Sequence, residues 1–191
     1  MTRDDLFARF EERITAVGGR CVRVGSLQEA ATGIADHPAL IDRTIVVPPH
    51  FVARHHWGEI VPLLRERGIH VREADNPASV ADAPAGLSNA ELAVAETGSV
   101  LLAENTLEAR VVSMLTLTHF VLVRTKDLVM MLDEAGALLQ QLSRPGPDQR
   151  RYISLVTGPS RTADIERTLT IGVQGPKAIY VLFVEGEDTN L

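Results

Sequence analysis

Ile45-Val46-Val47-Pro48-Pro49 decides the fold class. Three successive β-branched residues leave no polar face, so a strand made from them must be covered on both sides, and the prolines end it. A strand buried on both faces belongs to a mostly parallel sheet flanked by helices. Working outward, Val22 with Val24, Ile69 with Val71, His119-Phe120-Val121-Leu122-Val123, Tyr152 to Val156 and Ala178 to Val184 read as further strands.

Helical patterns alternate with these runs. Thr2 and Asp5 form a capping-box start for a helix with Leu6, Phe7, Phe10, Ile14 and Val17 on one face, stopped by Gly18-Gly19. Ser26 and Glu29 repeat that spacing ahead of Ala30, Ala31 and Ile34. Helices are predicted from about His50 or Trp57 to Arg67, over Glu108 to Leu115, over Leu128 to Leu142, and from about Ser160. Asp75 to Gly86 and Ser143 to Arg150 carry breakers and little periodicity, and read as exposed connections.

One feature departs from strict β/α alternation. Ala93-Val94-Ala95 and Val100-Leu101-Leu102-Ala103 are separated by Glu96-Thr97-Gly98-Ser99, the spacing of a hairpin with glycine in its turn. The expectation is therefore one α/β domain over 1–191, a mostly parallel sheet with a local antiparallel hairpin. Such sheets bind ligands beyond the carboxyl ends of their strands.

Composition narrows the function classes. Nineteen Lys and Arg against 25 Asp and Glu leave a formal net charge of -6 without a basic cluster, which argues against nucleic acid as a partner. No apolar run reaches the roughly 20 residues of a membrane span and the start of the chain is charged, so membrane insertion and export are not expected and the cytoplasm is the default. Cys21 is the single cysteine. It sits in a strand-like alternation, reads as a buried small apolar residue, and excludes a four-cysteine iron–sulfur site in this chain.

Two segments carry candidate chemistry. Thr157-Gly158-Pro159-Ser160-Arg161-Thr162-Ala163-Asp164 follows a predicted strand and opens a predicted helix, an arrangement suited to an anion. Thr157, Gly158, Ser160, Arg161 and Thr162 are the ligand-binding candidates, with Asp164 placing an opposing charge in the same turn. The alternative is a tight turn ahead of a well-capped helix. In the hairpin turn, Glu96 adjoins apolar strand residues, which suits acid/base or nucleophilic work, with Thr97, Gly98 and Ser99 beside it; the alternative is a carboxylate that accepts nearby amide hydrogen bonds. His50, His55, His56 and Trp57 lack metal-ligand spacing and read as surface or packing residues, so no metal site is assigned. His119 heads a strand, where a hydrogen bond at the strand end is the simpler role. Neither a GxGxxG fingerprint nor a phosphate-binding P-loop is present.

Glu91 to Leu102, ELAVAETGSVLL, and Thr157 to Pro176, TGPSRTADIERTLTIGVQGP, together resemble the lactate-utilization (LUD) domain family. The resemblance implies a fold similar to the NagB/RpiA/CoA-transferase-like group, and participation with iron–sulfur partner subunits in oxidising L-lactate to pyruvate. This sequence has Ser99 where the family commonly has threonine, and Gln174 where it commonly has histidine. Serine keeps the hydroxyl, whereas glutamine replaces an ionisable ring by an amide.

Three functions follow from these readings. The first is an accessory or ligand-binding component for a small carboxylate or phosphorylated ligand, with no cofactor in this chain and iron–sulfur clusters only in partner subunits. The second is a stand-alone CoA-transferase-like or isomerase-like enzyme with Glu96 as nucleophile or base. The third is a structural interaction module, with a homo-oligomer possible in any of the three.

Overall fold

The Thr2 hydroxyl accepts a hydrogen bond from the Asp5 N–H while the Asp5 carboxylate accepts one from the Thr2 N–H, the reciprocal cap expected from the sequence. In the computed structural model, which describes residues 2–54, 56–163 and 167–186, this cap opens α1 (Arg3–Ala16). At Gly18 φ is +84°, which turns the chain out of the helix into β1 (Arg20–Val24). Ser26 caps α2 (Leu27–Ala35), although the Glu29 carboxylate accepts from Gly25 N–H, so the second box is not reciprocal.

The chain continues through β2 (Thr44–Val47), α3 (Ile60–Glu66), β3 (His70–Glu73), α4 (Pro77–Val80), β4 (Ala85–Asn89), β5 (Leu92–Val94) and β6 (Ser99–Glu104). There follow α5 (Leu107–Leu115), β7 (Thr118–Arg124), β8 (Leu128–Val129), α6 (Ala135–Ser143), β9 (Tyr152–Val156), β10 (Arg161–Thr162), β11 (Thr170–Ile171) and β12 (Ala178–Val184).

A six-stranded sheet in the order β1-β12-β7-β4-β2-β3 forms the frame, and each neighbouring pair in it is parallel. Successive side chains point to opposite faces, so each continuous apolar run feeds two cores. Tyr180, Leu182 and Val184 face α2 and α3 together with Phe120, Leu122, Ile45 and Val47. Ile179, Val181 and Phe183 face α1 and the hairpin with Val121 and Val123, and Phe10 meets Phe183 edge-on at 4.9 Å. Val46 points to the same side as this second core, against α4 and α5.

A smaller sheet in the order β8-β5-β6-β9 lies on that second face. Its central pair is the predicted hairpin, β5 antiparallel to β6, with Gly98 at φ +68° in the turn. The turn lies against α1, where a Cβ on Gly98 would stand 2.5 Å from the Ile14 amide nitrogen. The two outer strands come from a later excursion, between β7 and β12, and clasp the hairpin from both sides.

Three local expectations are corrected. Leu128 and Val129 pair with Ala93 and Val94 as a strand, so the helix predicted over Leu128 to Leu142 starts only at Ala135. Ala85 to Asn89, read partly as exposed connection, is a fully buried strand at the sheet's centre, where Gly86 packs against Thr116. Ser160 opens no helix. Its N–H donates to the Pro176 carbonyl, and Arg161-Thr162 pair antiparallel with Thr170-Ile171. Among the described residues, no helix is long and apolar enough to cross a membrane.

Candidate functional site

Strands β2 and β4 are neighbours whose chains leave in opposite directions. After β2 the chain crosses to α3 on one face, and after β4 it enters the hairpin on the other. This is a topological switch point, where an open α/β sheet leaves a crevice outside its carboxyl ends. A cleft of about 480 Å³ lies there. Pro49, His50, Arg54 and Trp57 follow β2, Asn89, Ala90 and Glu91 end β4, and Arg124 and Asp127 end β7. Glu104 at the end of β6 and Arg150 ahead of β9 complete the opposite wall.

Arg54 is the cleft's fixed cation. Its Nη1 donates to Asn89 Oδ1 at 2.6 Å and Glu104 Oε1 at 3.0 Å, and its Nη2 donates to Glu104 Oε2 at 2.7 Å. The guanidinium also lies 5.2 Å from the centroid of Phe51. The fork geometry and the burial of Glu104 make this a locked pair. Arg124 is held by Asp127 through Nε. By contrast, among the described residues the Arg150 side chain hydrogen-bonds only to the Asp148 carbonyl, at 3.4 Å. Burial raises the pKa of Glu91 above the ordinary glutamate value, an effect that Arg150 and then Arg54 oppose.

At the rim, His50 and His56 both hold left-handed backbone, φ +59° and +69°, a conformation costly for residues with a Cβ and often kept where a binding surface needs it. His55 lies outside the described residues. Among the described residues, no group of three or more His, Cys, Asp or Glu is placed to hold a metal ion.

The two segments chosen from the sequence come together elsewhere. Ser99 Oγ lies 2.6 Å from Thr157 Oγ1, at the end of β6 opposite Glu104. Arg161 donates through Nη2 to the Val17 carbonyl, and Gly158 packs against Val17, where a Cβ would meet its side chain at 2.7 Å. Glu96 accepts from the Leu132 N–H at 3.0 Å. The Thr97 hydroxyl is buried without a hydrogen-bond partner among the described residues, Thr162 is buried, and Asp164 lies outside the described residues. Gln174 is exposed on the segment between β11 and β12. This cluster knits the amino edge of the parallel sheet to α1, a strand's length from the cleft.

His119 stands second in β7 and is fully buried, with Nε2 2.7 Å from Ser88 Oγ, the hydrogen bond at the strand's head that the sequence suggested. Cys21 is half-buried, and burial with help from Glu11 pushes its thiol up to about 12.

None of the cleft's arginines and carboxylates was among the candidates read from the sequence, and His50, His56 and Trp57 were read as surface or packing residues. The available signal was position: His50, Glu91 and Arg124 each stand just beyond, or at, the end of a parallel strand. Reading it required recognising β4.

An open parallel sheet with a charged crevice at its switch point is the arrangement of the open α/β proteins, in which ligands bind outside the strands' carboxyl ends. The LUD domain family model matches residues 52–184, and the chain belongs to that family. Among curated relatives, lactate utilization protein C of Bacillus velezensis is 34% identical over 110 residues, 57% of this chain and 46% of the relative. The Bacillus licheniformis protein of the same name is 37% identical over 98 residues, 51% and 41% of the two chains. The aligned stretch thus spans about half the length of these relatives or slightly less. A crystal structure of a DUF162 family protein from Deinococcus radiodurans superposes with a TM-score of 0.64 at 23% identity, covering 96% of this chain and 99% of that one, which establishes the likeness of fold.

Proposed function

We propose that this chain is a carboxylate-binding component of lactate utilization, holding a small hydroxy or oxo acid in the cleft at the sheet's carboxyl edge while iron–sulfur partner chains carry the electrons. Arg150 is the observation that carries the reading. Arg54 and Arg124 are already matched by Glu104 and Asp127, whereas Arg150 forms no ion pair among the described residues and lines the same cleft. An uncommitted guanidinium offers the planar fork that grips a carboxylate through two hydrogen bonds.

Two further facts support the pathway and the division of labour. The relatives named lactate utilization protein C supply the pathway. The single cysteine supports placing electron transfer in partners, because a cluster needs several thiolates. The cleft is preferred to Glu96 as the binding place, since the Glu96 carboxylate is engaged by Leu132 and lies at the far end of the hairpin.

Calorimetric titration with L-lactate and pyruvate tests the binding. Saturable binding should weaken at least about tenfold in Arg150→Met, the scale of one lost charge-assisted contact. Unchanged affinity in that variant would remove the cleft from the reading. Purified alone, the chain should not reduce an artificial acceptor with L-lactate, and activity should appear when the iron–sulfur partners are added. Turnover by the isolated chain would defeat the accessory role.

A further inference from the structure

Three carboxylates line the cleft, and two are matched: Glu104 by Arg54 and Asp127 by Arg124. Glu91 is different. Its carboxylate accepts no hydrogen bond and joins no ion pair among the described residues. It is also held in place, because its N–H donates to the Leu101 carbonyl at 2.9 Å and its neighbours Ala90 and Leu92 are buried. Glu91 itself is only partly exposed, and the exposed part faces the cleft.

A carboxylate kept partly dry without a donor is destabilising unless something that enters the site supplies one. The cation that acts most on Glu91 is Arg150, so an open acceptor and an open anion-binding fork face one short ligand from the same cleft. The complementary molecule carries a carboxylate together with a hydrogen-bond donor.

Resting on the reading that Arg150 holds a small carboxylate, we propose that Glu91 distinguishes a 2-hydroxy acid from the 2-oxo acid of the same size by accepting the hydrogen bond of the ligand's hydroxyl. An ionised carboxylate only accepts, and a ketone oxygen only accepts, so the oxo acid sets two acceptors against each other. Sites built to bond a hydroxyl reject an analogue that lacks it far more strongly than apolar pockets reject a missing methylene. The same cleft therefore binds the reduced acid and releases the oxidised one.

Calorimetric titration of L-lactate, pyruvate and propionate into the wild-type chain, Glu91→Gln and Arg150→Met tests the assignment. The wild type should bind L-lactate at least about tenfold more tightly than pyruvate or propionate. In Glu91→Gln the amide can donate to a ketone, so the lactate-to-pyruvate ratio should fall towards one. Arg150→Met should weaken all three acids together. Equal wild-type affinity for L-lactate and pyruvate, or an unchanged ratio in Glu91→Gln, would overturn the role of Glu91 while leaving the Arg150 reading intact. Absence of binding by all three acids to the wild type would overturn both. Circular dichroism of Glu91→Gln checks its fold, and if that variant unfolds the wild-type ratio alone decides.

Discussion

Acidification from pH 7 to pH 5 should weaken the fold through His119. The ring lies on β7 between Gly86 of β4 and Ile179 of β12, fully buried, with Nε2 against Ser88 and Nδ1 without a partner among the described residues. Burial pushes its pKa down to about 3, against roughly 6.5 for the same ring in an unfolded chain. Between those values the unfolded chain binds a proton that the folded chain does not, so the stabilisation is fully present above about pH 6.5 and is lost as pH falls towards 3. At pH 5 the unfolded ring is almost entirely protonated and the folded ring neutral. The resulting loss is about 2 kcal/mol, close to 1.4 kcal/mol for each pH unit below 6.5. Urea denaturation of the wild type and of His119→Phe at pH 7 and pH 5 measures this. The variant's absolute stability changes because the Ser88 contact is gone, but the wild type should lose about 2 kcal/mol more than the variant over that interval. His37, whose pKa burial and Arg20 also lower, is present in both proteins and cancels. Equal losses in the two proteins would refute the reasoning.

Two further outcomes are expected. Arg54→Met should leave the buried Glu104 carboxylate without its fork and destabilise the protein by about 3 kcal/mol, measured by thermal or denaturant unfolding, whereas the double variant Arg54→Met/Glu104→Leu should recover much of that loss. Cys21, with its thiol near 12, should react with iodoacetamide at pH 8 on the order of a thousandfold more slowly in the folded than in the urea-unfolded protein.

The sequence disclosed the parts of the fold whose side chains carry their own burial pattern. Ile45-Val46-Val47, Phe120 to Val123 and Ala178 to Val184 are apolar on both faces and could only be covered strands, and Gly98 marked a turn that needs positive φ. Ala85 to Asn89 escaped because its small and polar residues are chosen by neighbours: Gly86 makes room for Thr116, and Ser88 meets His119. Leu128 and Val129 fit a helical stripe just as well as a strand. Their pairing with β5, 35 positions earlier for Val129 with Val94, decides the matter, and no local pattern reports it. Ser160 carried good helix-capping chemistry but was claimed by the Pro176 carbonyl and a short antiparallel pairing. The cleft was hidden for a related reason. Its arginines and carboxylates are ordinary surface residues in the sequence, and only the order of the strands brings positions 54, 91, 104, 124 and 150 to one edge.

The clasped arrangement of the smaller sheet bears on how the molecule is made. Its inner strands leave the frame after β4 and its outer strands after β7, so β6 waits for β9, about 50 residues further along, before that side gains a hydrogen-bonding neighbour. Contacts between such distant segments form slowly, because the loop-closing entropy must be met first. During synthesis the hairpin emerges with both edges unpaired and its apolar strands exposed, a state prone to joining another chain. Closure by β8 and β9 ends that exposure, and the pairing of β9 with β6 brings Arg150 to the wall where Glu104 already stands. The cleft's second wall is therefore a late product of folding, and a chain interrupted ahead of Arg150 would carry that wall with Glu104 but without its arginine.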